Sequence, residues 1–250
     1  MREAFLNTRM APFNNLLARK AVNFAVDRRA AMAPVAQQPE ARTITCQPIQ
    51  PGMVGYRPYC PYAANPNAAG TWTGPNVPLA RELVRESGPS GDKVEVWAPP
   101  KSWIGEPSAD YIAQVLTRIG YRATVYRPAK TFADYVNAIS QGHAQTGVIG
   151  DSVATNYGGD VIGEFLCSAE NFDRYCDPHF DAQYRRGLVI GLTDPQRARD
   201  LWTTLDHELT DRAVTVPIWA ETNLAYMSTR VGNGSTNAGA GILIDQLWVR

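Results

Sequence analysis

Three histidines, His143, His179 and His207, are the first side chains to test for acid–base or metal chemistry, and their spacing serves neither. None stands four residues from another, as paired metal ligands on one helix face must, so each reads as a solvated helix or loop residue. Asp206, His207 and Glu208 are consecutive, and a helix fans such neighbours around its axis instead of converging them on a substrate. No G-x-S-x-G turn presents an activated serine. The run GNGSTNAGAG (232–241) lacks a following Lys-Ser/Thr and reads as a connection, not a phosphate loop. The expectation is a chain that catalyses nothing and carries no cofactor or metal.

The cysteines fall into two local pairs, Cys46/Cys60 and Cys167/Cys176, without the C-x-x-C spacing of a zinc or redox site. Two readings stand: at least one disulfide, and with it an oxidising compartment, or four unpaired structural thiols. A bridge closing a loop of about 15 residues contributes roughly 3 kcal/mol in the chain-entropy treatment. The first pair brackets TCQPIQPGMVGYRPYCPY (45–62), where prolines exclude both a helix interior and a central strand. Such a segment must be a long ordered loop stiffened by proline and by packing of Tyr56, Tyr59 and Tyr62.

Around that loop the pattern is regular. LLARKAVNFAVDRR (16–29) has the apolar stripe of one amphipathic helix, and PLARELVRES (78–87) opens on proline and ends before Gly88. Strands at 92–98, 121–127 and 145–150 alternate with helices at 107–120 and 131–142, the order of a mostly parallel sheet flanked by helices. Helices follow at 178–191 and 194–212. A β-branched strand then covers 213–220, where Pro217 implies a sheet margin, and a last strand is expected at 242–249. The fold class is α/β, a mixed, mostly parallel sheet flanked by helices.

The chain has 250 residues, and its 24 Lys and Arg balance 24 Asp and Glu, so it carries no broad charged face for nucleic acid or anionic membrane. No apolar run approaches the length of a membrane span. The first residues, MREAFLNTRMAPF, show no secretion-signal pattern.

Five blocks in order carry a resemblance. FLNTRMAPFNNLLARKAVNFAVDR (5–28), CQPIQPGMVGYRPYCPY (46–62), ARELVRESG (80–88), RYCDPHFDAQYRRGL (174–188) and TVPIW (215–219) are similar to blocks of one family. These are the family 5 bacterial extracellular solute-binding proteins, the oligopeptide-, dipeptide- and nickel-binding components of ABC importers. The chain resembles the C-terminal half. The resemblance implies a periplasmic-binding-protein type II-like lobe, with residues 1–6 as a hinge or first-lobe remnant. Residues 7–229 would be the binding lobe and 230–250 a return segment, with a remnant strand, to the first lobe. It implies a truncated reading frame, an extracytoplasmic location, and as partners a small solute or short peptide, a membrane permease and the missing N-terminal lobe. Alternatives are a ligand-sensing domain on the same fold or, on an α/β scaffold, a hydrolase or transferase.

In peptide-binding members an aspartate of a W-x-A-D-Y segment pairs with the ligand's ammonium group. GVIGDSVATNYGGD (147–160) resembles that segment and places Asp151 at the aspartate, with Asp160 as a substitute, although Val148 stands for the tryptophan and Ser152 for the tyrosine. Trp72, Trp97, Trp103 and Tyr157 are the aromatics expected to line the cleft.

Overall fold

Residues 1–33, 42–88, 92–101, 107–150, 155–167, 171–221, 226–237 and 241–249 are described in a computed structural model of the chain. The central feature is a six-stranded mixed sheet. It is built from β1 (Arg2–Leu6), β2 (Arg42–Ile44), β3 (Lys93–Trp97), β4 (Arg122–Tyr126), β5 (Thr146–Gly150) and β6 (Thr215–Glu221), in the order β2-β6-β1-β5-β3-β4.

Among the described strands of this sheet, the parallel pairs are β3 with β4 and β3 with β5, the strand–helix alternation read from the sequence. The other half is antiparallel: β1 pairs with both β5 and β6, and β2 pairs with β6. The sheet is therefore mixed, not mostly parallel, because β1 enters between β5 and β6 and runs against both. Arg2–Leu6 is an interior strand of the sheet.

Alternation along the strands decides the two layers. Ala4, Leu6, Val94, Val96 and Val148 join one core cluster with α1 (Leu16–Ala25), α3 (Val77–Ser87) and α4 (Pro107–Ile119). Phe5 and Ile149 point to the opposite face and pack with Tyr135 and Ile139 of α5 (Phe132–Ser140). A third cluster joins α6 (Gly158–Gly163), α7 (Pro178–Gly191) and α8 (Pro195–Asp211) around the fully buried Trp202.

Helix ends follow local chemistry. Asp177 and Asp194 cap α7 and α8, each with proline in the first turn. Asp27 accepts from the amides of Arg29 and Ala30, so the stripe at 16–29 breaks into α1 and a new helix, α2 (Arg28–Met32). Pro217 lies inside the sheet, since β6 sits between β2 and β1. A register shift between Arg2 and Glu3 opposite residues 217–219 forms a bulge, where a residue without an N–H can stand.

Both cysteine pairs are disulfides, Cys46–Cys60 and Cys167–Cys176. The proline-rich loop is fastened to α8. Asp206 accepts from the Ile49 amide at 2.8 Å and from the Gln47 side-chain nitrogen, while Tyr62 donates to the Asp211 carbonyl at 2.9 Å. Tyr59 stacks on His207 with ring centroids 4.3 Å apart.

The expected strand at 242–249 is instead β9 (Gly241–Ile242), a 3₁₀ turn (Ile244–Gln246) and β10 (Trp248–Val249). β9 pairs with β8 (Thr236–Asn237) and β10 with β7 (Val231–Gly232), so the local hairpins take the backbone pairs that a long strand needs from a neighbour.

Candidate functional site: the carboxyl edge of the sheet

In an α/β sheet the carboxyl ends of parallel strands open onto the crevice where ligands bind. Here those ends carry Trp97 on β3 and Tyr126 on β4, whose rings meet edge to face at 5.2 Å and 70°. The Trp97 indole donates to Glu95 at 2.8 Å, which holds the ring in place, and Tyr126 is 44% exposed. β5 pairs with Trp97 at Gly147 and runs three residues further, to Gly150, and Asp151 is the next residue in the chain.

The antiparallel strands bring a charged group to the same edge. Arg2 lies opposite Gly150, and any side chain at 150 would overlap its guanidinium. Glu221, the last residue of β6, pairs with Arg2 and with Arg42 of β2, each at 3.5 Å. It also accepts from the Trp219 indole at 3.3 Å, and Arg42 lies over the Trp219 ring at 5.9 Å. Burial works to raise the Glu221 carboxyl, but Arg2, the Trp219 N–H and Arg42 together hold it below the usual carboxylate range. The edge thus carries two aromatic rings packed edge to face and a row of two guanidiniums and one carboxylate.

The expected cleft residues do not all converge there. Trp97 does. Trp72 packs against the Cys46–Cys60 cluster, at the other side of the sheet. Tyr157 precedes α6, and its hydroxyl accepts from the Trp202 indole at 2.6 Å, which ties it to the α6–α8 core. Thr155 donates to Asp160, which stands in the first turn of α6. Asp151 and Trp103 lie outside the described residues. Sequence reading missed Tyr126, Arg2, Arg42 and Glu221. Tyr126 and Glu221 are each the last residue of a strand, a position legible once strand direction is known. Arg2 and Arg42 required the antiparallel pairings.

No family model matches the chain. It is 25% identical over 233 residues to heme-binding protein A of Haemophilus influenzae, covering 90% of this chain and 40% of that protein. Its fold matches HbpA2 from Haemophilus parasuis with a TM-score of 0.84 at 20% identity, covering 100% of this chain and 48% of that one. It also matches the ABC transporter-associated periplasmic binding protein DppA from Helicobacter pylori, solved with peptide STSA. There the TM-score is 0.78 at 16% identity, over 99% of this chain and 46% of that one. The chain spans about half the length of the relatives it matches. In sequence and in fold it is similar to one half of an extracellular solute-binding protein of the family 5 type, the resemblance that its ordered motifs carry.

Proposed function

We propose that this chain is the C-terminal, ligand-holding half of a solute-binding component of an ABC importer, working outside the cytoplasm without catalysis. The observation that carries the reading is that the strands bring Trp97 and Tyr126 on one half of the sheet, and the Arg2–Glu221–Arg42 row on the other, to the same carboxyl edge. A short peptide or a solute of similar size would lie across this edge, its apolar part on the aromatic pair. Asp151, one residue past β5, would pair with a ligand ammonium group. A second lobe would close over the bound solute, and the closed form would dock on a membrane permease.

Native mass spectrometry of the chain against a library of di- to tetrapeptides tests this. Captured peptides should be lost or weakened about tenfold in Trp97→Ala and in Asp151→Asn, consistent with one desolvated charge pair or aromatic contact. Peptide capture that neither substitution changes would sink the assignment of this edge.

A further inference from the structure

Beside β2 lies a groove of about 600 Å³, within the range of small-molecule sites. Three strands, β6, β1 and β5, separate β2 from β3. At about 4.8 Å per strand this sets the groove about 19 Å across the sheet from Trp97. Its walls are α2, β2 and the two ends of the proline-rich segment. The segment closes on itself at Gly70, whose φ is +61° and where any side chain would overlap the Pro58 carbonyl.

The chemistry of the walls is one-sided. Arg29 and Arg42 line the groove, and none of its described lining residues is acidic. Glu221 contacts Arg42 from the sheet edge and is shared with Arg2. Arg29 lies over the Trp72 ring at 5.7 Å. The Trp72 indole N–H is buried and has no hydrogen-bond partner among the described residues, a donor that native interiors seldom leave unused. Met32, Ile44 and Pro58 supply an apolar wall.

Two guanidiniums and an idle N–H match a group that only accepts hydrogen bonds, and the apolar wall matches a flat body attached to it. We propose that this groove is a second ligand site, selecting a small aromatic carboxylate. Its carboxylate would meet Arg29, Arg42 and the Trp72 N–H, and its ring would lie against Met32, Ile44 and Pro58. The site is independent of the peptide reading of the sheet edge, since it shares neither Trp97 nor Tyr126.

Calorimetric titration of the full chain with indole-3-acetate, and with indole-3-acetamide as the uncharged counterpart of the same shape, tests the proposal. The acid should bind saturably with Kd between about 10 µM and 1 mM, and the amide about tenfold or more weakly. Arg29→Gln removes the charge and Trp72→Phe removes only the N–H; each should weaken the acid at least about threefold while the thermal midpoint holds. Absence of saturation, equal affinity for acid and amide, or full affinity in both variants overturns it. Trp72→Phe keeps the aromatic packing, so it decides the matter even where Arg29→Gln disturbs the fold.

Discussion

Arg28 is fully buried and donates its hydrogen bonds to oxygen atoms of neutral groups. Its Nε donates toward the Thr45 and Pro217 carbonyls at 3.0 and 2.9 Å, and its terminal nitrogens reach Asn23. Burial pushes the guanidinium down to about 10, which leaves it charged at any ordinary pH. One side chain thereby fastens α2, the start of the proline-rich loop and the bulge of β6. Arg28→Ala should lower the unfolding free energy by about 3 kcal/mol in urea titrations, because several buried carbonyls lose their donor together. Arg28→Lys, which cannot fork, should recover less than half of that loss. Asp206 behaves in the opposite sense. Burial pushes its carboxyl from the ordinary 3.8 up to about 7, against the hydrogen bonds from Ile49 and Gln47. The folded chain then holds a proton that the unfolded chain releases, so this residue's contribution to stability falls as pH rises from about 4 to about 7. Asp206→Asn should flatten that part of the pH–stability curve, read from urea midpoints at half-unit intervals. A slope identical to the parent chain would refute the assignment.

Among the elements, the loop closed by Cys46–Cys60 is fixed twice, by its bridge and by its contacts with α8. The bridge alone should contribute about 3 kcal/mol in the chain-entropy treatment. Because Asp206 and Asp211 hold the loop from outside, the Cys46→Ser/Cys60→Ser pair should lose no more than that and should still fold, judged by a cooperative urea transition. Elements of this kind divide cleanly by what the sequence shows. The helix Pro178–Gly191 is read to the residue, because an aspartate cap, a proline in the first turn and an apolar stripe all act within a few residues of one another. The break at Asp27 is also local, but its cap competes with an apolar stripe that runs on, and the stripe masks it. The bulge that admits Pro217 depends on β1, some two hundred residues away, and no window of sequence contains it. At the site the division is the same. Trp97 is visible as the end of a strand, while the Arg2–Glu221–Arg42 row exists only after three distant segments pair.

For the whole molecule, the six-stranded sheet and its helices form one interlocked unit. Among the described residues β7 to β10 pair with one another and not with that sheet, and Tyr226 and Ile244 are 80% and 76% exposed. Deleting residues 226–250 should leave the thermal midpoint within about 2 °C, since little buried apolar area is lost. It should also reduce self-association in size-exclusion runs at high concentration, where exposed apolar side chains otherwise meet. A collapse of the melting transition on deletion would show that the segment braces the sheet.

The place of β1 has a further consequence, for timing. Its neighbours are residues 146–150 on one side and 215–221 on the other. On a ribosome adding about 5–20 residues per second, the strand Arg2–Leu6 waits on the order of 10 to 40 seconds before β6 exists to complete its pairing. During that interval Phe5 gains its packing partners Tyr135, Ile139 and Ile149, but the other edge of β1 has no strand beside it. The second edge of this interior strand therefore stays open long after β5 can pair with the first, and the sheet is completed only once residue 221 has been made.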